Sequence, residues 1–295
     1  MLTVSTLRKW NSHRNEKKQT DMEPYYILKA IDAALDAGNR IRAIYDHPDS
    51  DFQIERKADD SPLTIADRKA HEAIANALAD TPFPLLSEEG KLMPYADRKG
   101  WQALWVVDPL DGTKEFIKRN GEFTVNIAWV REGVPVMGVI YLPVRRVLYF
   151  ADEELGAYKV ADMTYREGLT LDQLRERAVR LPAADGHTSL VVVASRSHLT
   201  PETEAYIEEL RLRHGAVELV SSGSSLKICL VAEGVADVYP RFAPTMEWDT
   251  AAGHAIARAA GREMYQVGTD APLRYNKENL LNPWFVVEPR RRNKK

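Results

Sequence analysis

Hydrophobic and polar positions along the chain change period several times, and the changes mark out its elements. Over residues 24–45, Ile27, Ile31, Ala34, Leu35, Ile41 and Ile44 recur near helical spacing. They predict one long amphipathic helix with Gly38 as its weak point. Phe52-Gln53-Ile54 and their neighbours predict a short strand. Thr64 followed three residues later by Asp67 has the form of a capping box and predicts a helix over 66–79. Residues 84–90 read as a short apolar strand that ends in two adjacent carboxylates, Glu88 and Glu89. Leu104-Trp105-Val106-Val107 suits a strand buried on both faces. Pro109 cannot donate to a ladder, so that strand is expected to stop at or near Asp108. Residues 123–130 and 134–142 predict two strands joined through Arg131-Glu132-Gly133, a hairpin signal. Residues 146–151 and 155–160 continue the same antiparallel style.

Residues 161–188 are polar and mixed, with one short apolar pattern around Leu171 and Leu174, and read as a connection between two halves. After it, strand and helix alternate. Strands are predicted at 190–194, 217–220 and 235–239, and helices at 201–213, 224–232 and from 248 or 249 to 260. Gly261 is a good C-cap for the last helix. A meander followed by alternation argues for a layered α/β architecture. The organisation expected is a polar extension at 1–22, an α+β half at 23–160, an α/β half at 161–289 and a basic tail at 290–295, which reads as a solvated, frayed end.

At 295 residues the chain has room for a sizeable core. A formal charge of −3 neither favours nor opposes a nucleic-acid partner, and none is expected. The single cysteine, Cys229, excludes an intramolecular disulfide and a cysteine-rich zinc site. No apolar run reaches 18 residues, so no transmembrane helix is expected, and residues 1–20 lack the apolar core of a secretory signal. Met22 is a candidate alternative start. There is no P-loop and no GxSxG elbow, and His71-Glu72 fails as a zinc motif because position 75 is alanine.

The chemistry concentrates in three acidic patches: Glu88-Glu89, Asp108 with Asp111, and Asp249. Asp108 and Asp111 stand at a strand end, bent together by the Asp111-Gly112 turn. Two acids so close repel unless a cation sits between them or one takes a proton. The ligands at hand are all oxygens, which suits a hard divalent cation. Each patch also has a plain structural alternative. Asp108 and Asp111 could merely cap and turn the chain, Asp67 is the acid of a capped first turn, and Asp249 could be an N-cap. Strand ends and helix starts are nevertheless where layered α/β folds build sites. Paired divalent ions there suit phosphate-ester hydrolysis. The small residues Ala251-Ala252-Gly253 would let a helix start approach an anion.

Asp108-Pro109-Leu110-Asp111-Gly112-Thr113 and Trp248-Asp249-Thr250-Ala251-Ala252-Gly253 resemble the two signatures of the inositol monophosphatase-like, lithium-sensitive, Mg²⁺-dependent phosphatases. Glu88-Glu89 resembles the first metal motif of that family. The motifs occur in order, span positions 59–260 and leave residues 1–20 outside. The resemblance implies an α-β-α-β-α layered sandwich of the kind shared with fructose-1,6-bisphosphatases, and two or three Mg²⁺ ions. It implies metal ligation by Glu88, Asp108, the Leu110 carbonyl, Asp111 and Asp249. Thr113 with Asp67 would orient and deprotonate the attacking water, with Glu88 also in the catalytic set. Gly112 and Thr113 would offer backbone N–H groups to the scissile phosphate. Glu88, Leu110, Asp111 and Asp249 would face the substrate as well. Ser195, His198, Gly223 and Lys227 would hold a nucleoside and a second phosphate.

Within the family the chain is most similar to members that act on 3′(2′),5′-bisphosphate nucleotides, through Ser195-Arg196-Ser197-His198, Gly223-Ser224-Ser225-Leu226-Lys227 and the segment from Tyr239 to Glu247. This implies removal of the 3′-phosphate from adenosine 3′,5′-bisphosphate, and from its phosphosulfate form, in sulfur assimilation. The implied location is the cytoplasm, with peripheral contact at the inner membrane allowed for. A held second phosphate needs cations of its own, and Lys227, Arg196 and Arg241 are candidates. Two other functions compete. One is hydrolysis of inositol monophosphate or another small phosphate ester. The other is a binding role through a partner, with the basic tail as the contact.

Overall fold

The computed structural model describes residues 23–47, 52–56, 62–91, 93–166, 168–184, 186–195 and 200–291, with the backbone alone for Glu23 and Ser195. The expected extension at 1–22, the candidates Arg196 and His198, and positions 292–295 of the tail lie outside the described residues. The first half of the chain runs α1 (Glu23–Tyr45), β1 (Glu55–Arg56), β2 (Pro62–Leu63), α2 (Ile65–Leu78), β3 (Leu85–Ser87), α3 (Tyr95–Arg98), β4 (Ala103–Asp111) and α4 (Thr113–Ile117). It continues through β5 (Thr124–Arg131), β6 (Val134–Leu142), β7 (Val147–Asp152) and β8 (Gly156–Val160). Next come α5 (Leu171–Arg177), β9 (Val179–Arg180), β10 (Leu190–Ser195), α6 (Pro201–His214) and β11 (Val217–Ser222). The chain ends with α7 (Leu226–Glu233), β12 (Tyr239–Arg241), α8 (Glu247–Ala259), β13 (Arg262–Gln266) and β14 (Phe285–Pro289).

Seven strands form the main sheet in the order β3-β4-β5-β6-β7-β8-β9. Only the β3–β4 pair is parallel. Its two faces build separate cores. Trp105, Val107, Ile127, Trp129 and Phe150 pack under α1 and α2. Leu104, Val106, Ala128, Ile140 and Tyr149 pack under α7 and α8. Successive strand residues point to opposite faces, so a run such as Leu104 to Val107 feeds both cores at once. Below α7 and α8 lie the parallel pair β10–β11 and the antiparallel sheet β12-β14-β13. Ile207 and Leu210 of α6 close the far side against Val192, Val238 and Val286. The layers are therefore helix, sheet, helix, sheet, helix.

Several expectations need correction. β4 does not stop at Asp108: it pairs with β5 as far as Asp111 opposite Thr124, across a bulge between Asp108 and Asp111. Pro109 sits inside that bulge, where no ladder donor is required. The stretch 161–188 is more than a connection, since it holds α5 and β9, and β9 extends the main sheet beside β8. Because β9 lies beyond residue 160, we place the proposed division of the chain after it rather than before. The strand expected at 235–239 begins only at Tyr239, with Val238 making a single bridge to Val192. Strands β13 and β14 were not anticipated. Arg290 and Arg291 are not a frayed end. Arg291 stacks 4.2 Å from the Tyr265 ring centre and bonds Glu288 at 2.7 Å, and the Arg290 amide donates to Gly261.

Glycine decides how closely helices approach the sheet. Gly38 is not a weak point: a Cβ there would stand 2.5 Å from the Tyr141 ring, so its bareness seats α1 on β6. On the other face, a methyl at Gly138 would overlap the Ala252 carbonyl oxygen of α8. Ala251 and Ala252 are fully buried, and a methyl at Gly253 would meet Ile228 of α7 at 2.7 Å. The small residues of this segment thus serve helix packing rather than the approach of an anion. Gly138→Ala should destabilise the protein by roughly 1–3 kcal/mol, the usual cost of overpacking. Gly100→Ala, where an added Cβ meets nothing within 4 Å, should be near neutral. Urea unfolding of the two variants checks this contrast, and equal losses would refute the packing argument.

Candidate active site

The bulge at the end of β4 places the first acids. Asp108 is buried at 2 % exposure, and its Oδ1 accepts the Leu110 amide at 3.0 Å, a short loop-back that fixes the bulge. Glu88 follows β3 directly, and its amide donates to the Val107 carbonyl, so its side chain starts beside Asp108. Gly112 then turns the chain at φ +96°, a conformation that favours glycine, and α4 begins at Thr113.

Asp67 joins this corner from α2. Its Oδ2 accepts the Thr64 amide at 2.8 Å and the Thr64 hydroxyl at 2.5 Å, which completes the capping box. Its Oδ1 accepts the Thr113 hydroxyl at 3.2 Å. The sequence left two readings of Asp67 open, cap or site residue. One oxygen does each job.

Asp249 comes from the opposite side. It is not an N-cap: it lies three residues into the start of α8, and its Oδ2 accepts the Met246 amide at 2.8 Å. Between Asp249 and Asp111 runs the turn Gly223-Ser224-Ser225. Ser225 donates to Asp111 Oδ2 from its amide at 2.7 Å and lies 2.6 Å from it through its hydroxyl. Thr124 Oγ1 and Asn126 Nδ2 approach the same oxygen, each at 3.4 Å. All of these contacts converge on Oδ2, and Oδ1 of Asp111 takes part in none of them. Sequence reasoning missed Thr124, Asn126, Ser225 and Glu122 here. The Gly-Ser-Ser run flagged the turn but not its partner strand.

Burial pushes the Asp108 carboxyl well above the usual carboxylate range, and Glu88, Asp111 and Asp249 push it further. Burial raises Asp249 in the same way, with Asp111 the largest charged contributor, while the Met246 amide and Arg241 act in the other direction. The acids therefore feel one another across the meeting point of β3, β4 and α8. Among the described residues no three of them already form a ready-made cation cage. The donor set is nonetheless all oxygen and mutually repelling, with Asp108 buried, the other three acids half-buried, and Oδ1 of Asp111 uncommitted among the described residues. Those properties fit a hard divalent cation.

A cleft of about 150 Å³ opens beside Asp111 and Asp249 and is walled by the Gly223–Ser225 turn, Tyr239 and Arg241. Lys227 lines it but is 4 % exposed, and its ammonium donates to the Ser224 carbonyl at 2.7 Å and the Ser222 carbonyl at 3.4 Å. Arg241 Nη2 donates to the Pro244 carbonyl at 3.1 Å, and its buried Nε has no hydrogen-bond partner among the described residues. Gly223 donates its amide to Glu122 at 3.0 Å. Ser195 ends β10 opposite Ser222.

A layered sandwich whose acids gather where β3, β4 and α8 meet defines a family. The chain belongs to the inositol monophosphatase family, whose profile matches residues 23–292. Members of this family are generally Mg²⁺-dependent. The chain is 46% identical over 263 residues to the 3′(2′),5′-bisphosphate nucleotidase CysQ of Salmonella typhimurium, covering 86% of this chain and 96% of that protein. It is 45% identical, with the same coverage, to the protein of that name from Escherichia coli K12. Among solved structures, CysQ from Bacteroides thetaiotaomicron, described as a bacterial member of the inositol monophosphatase family, superimposes with a TM-score of 0.85 at 66% identity, covering 92% of this chain and 99% of that one. SuhB from Bartonella henselae aligns with a TM-score of 0.67 at 25% identity, covering 90% of this chain and 94% of that one.

The crowding of buried acids has a measurable consequence. Asp108→Asn removes one charge and keeps an oxygen for the Leu110 amide. It should raise the stability of the metal-free protein by about 1 kcal/mol or more, the scale of one relieved pKa unit. It should also remove most of the stabilisation by Mg²⁺, which for a site at a hundredfold Kd is about 2.7 kcal/mol. Urea unfolding in EDTA and in Mg²⁺ reads both effects. A variant weaker in EDTA and fully responsive to Mg²⁺ would exclude Asp108 from the cation site.

Proposed function

We propose that this chain is a Mg²⁺-dependent phosphatase that removes the 3′-phosphate from adenosine 3′,5′-bisphosphate, or from its phosphosulfate form, in the cytoplasm. The observation that carries the reading is the convergence of Glu88, Asp108, Asp111 and Asp249 beside a cleft that also holds Arg241 and Lys227. The names of the relatives at 45–46% identity support the substrate class.

In this reading Glu88, Asp108, the Leu110 carbonyl, Asp111 and Asp249 hold two or three Mg²⁺ ions. When bound, the ions supply positive charge to the phosphoryl and leaving oxygens and acidify water. The chain's own residues move the proton. Thr113 Oγ1, 3.2 Å from Asp67 Oδ1, accepts a hydrogen bond from the attacking water and directs its own proton to Asp67. Asp67 can keep its position through that exchange because Thr64 holds its other oxygen. Gly112 and Thr113 present their amides to the phosphate undergoing attack.

A 3′,5′-bisphosphate carries a second phosphate that is held and not cleaved. We assign that phosphate first to Arg241, whose guanidinium lines the cleft. Lys227 adds charge from beneath, although its ammonium is committed to the turn. Ser195, His198 and Gly223 complete the proposed nucleotide contacts. Hydrolysis of inositol 1-phosphate is the alternative, and it makes no use of Arg241.

Two experiments test the reading. Activity should require Mg²⁺ and fall with low concentrations of Li⁺, and full turnover in excess EDTA would end the metal proposal. Arg241→Ala should lower kcat/KM for adenosine 3′,5′-bisphosphate by roughly ten- to a hundredfold, the range of a charge-assisted contact. Its effect on inositol 1-phosphate should stay below about threefold, because a monophosphate leaves that contact unused. Equal losses on both substrates would remove the second phosphate from Arg241.

A further inference from the structure

The entry to β5 and the turn after β11 are fastened by consecutive rungs. Residues 122, 124 and 126 alternate along an extended stretch and so face the same side. Glu122 Oε2 accepts the Gly223 amide at 3.0 Å. Thr124 Oγ1 lies 2.8 Å from Ser224 Oγ. Asn126 Nδ2 donates to Ser225 Oγ at 2.9 Å. Three alternate residues thus meet three successive turn residues. At the outer end, Arg145 bonds the other oxygen of Glu122 at 3.0 Å and sets its direction.

The turn needs holding. Ser224 has φ +48°, a left-handed conformation that side-chain-bearing residues rarely adopt. Gly223 packs so tightly on Glu122 that an added Cβ would meet its Oε2 and Cβ at 3.1–3.2 Å. From below, Lys227 ties the Ser222 and Ser224 carbonyls. The product of this bracing is the grip of Ser225 on Asp111 Oδ2, at 2.7 Å from the amide and 2.6 Å from the hydroxyl.

We propose that Glu122 is a positioning residue: its hydrogen bond to the Gly223 amide sets the turn, and through Ser225 the turn holds Asp111 with one oxygen fixed and the other directed to a cation. The proposal rests on the reading of Asp111 as a cation ligand. The outer rung is the informative one, because Thr124 and Asn126 also approach Asp111 directly.

The test titrates the metal-free full-length protein with Mn²⁺, a paramagnetic stand-in for Mg²⁺, and follows free Mn²⁺ by electron paramagnetic resonance. Glu122→Ala should weaken Mn²⁺ binding about tenfold, the lower range for residues that support a metal ligand. The Mg²⁺ concentration for half-maximal activity should rise by a similar factor, while kcat at saturating Mg²⁺ stays within about threefold. Glu122→Gln keeps an oxygen for the Gly223 amide and should bind Mn²⁺ within about threefold of the parent. If Glu122→Ala does not fold, Arg145→Glu sets a like charge against Glu122, turns it from the Gly223 amide and should weaken Mn²⁺ binding by about tenfold. Parent-like binding in the tested variant, or a Gln variant as weak as Ala, would overturn the proposal. A parent protein that binds no Mn²⁺ would instead overturn the cation reading of Asp111, and the proposal with it.

Discussion

One buried and three half-buried carboxylates that repel one another are the constraint around which this molecule is arranged. Glu88 and Asp108 come from adjacent parallel strands, Asp111 from beyond a bulge and Asp249 from a helix in the next layer. At an effective dielectric of about 20, two unit charges ~5 Å apart cost on the order of 3 kcal/mol. No sheet or helix concentrates such groups without an opposing gain. The chain offsets part of the cost locally: the Leu110 amide serves Asp108, the Met246 amide serves Asp249, and four donors serve Asp111. The raised Asp108 and Asp249 carboxyls show that the local donors do not suffice. A proton or a cation can supply the rest, and in the reading proposed above it is a cation, so that stability and chemistry would draw on the same interaction.

The acids meet only because the layers are close. α8 lies low on β6 where Gly138 has no side chain, and α7 lies against α8 where Gly253 has none. Those absences put Asp249 within electrostatic reach of a strand end in the neighbouring sheet. The anchor at the back of α8 is polar. Glu247 is fully buried and accepts the Asn276 amide at 2.6 Å, the Lys277 amide at 2.9 Å and the Lys277 ammonium at 2.6 Å. One rung into the helix, Thr250 takes bonds from Tyr275 and Asn282. The segment after β13, silent to pattern reading, thus holds the start of the helix that presents Asp249.

What was legible in the sequence was local. The capping pair Thr64 and Asp67, the hairpin at Glu132-Gly133 and the two signatures around Asp108 and Asp249 each declare themselves within about six residues, the span over which turn and cap rules act. What was not legible was long-range. Asn126 finds Ser225 across 99 positions, and Ser225 finds Asp111 across 114. No periodicity encodes such a pairing. Lys227 marks the limit most clearly. A lysine in a glycine-serine turn suggests an exposed hand for a phosphate, yet burial is decided by Tyr239, 5.5 Å below its ammonium, and by layers that a local window does not contain. Arg290 and Arg291 are solvated, as a run of cations suggests, yet they are held in place by Tyr265, Glu288 and Gly261, which lie outside any local window.

The cleft sets two like-charge problems side by side, and their solutions differ. A phosphate ester must approach carboxylates, and a second phosphate must come with it. Bound cations answer the first, since they reverse the sign of the acid cluster. They do not answer the second in the reading proposed above, where the held phosphate meets the cleft wall away from the reacting centre. That wall carries Arg241 and Lys227, and burial lowers the Lys227 ammonium to about 8, with Arg241 acting in the same direction and Asp111, Glu115 and Glu122 opposing. Two cations forced together in a half-dry wall repel each other until an anion arrives. In that reading the anion gains from both, and the lysine regains the charge that burial was eroding. Lys227 also braces the turn beneath the cleft, so a site for a single phosphate has a use for the lysine too, and it is Arg241 for which the proposed second phosphate supplies the added use.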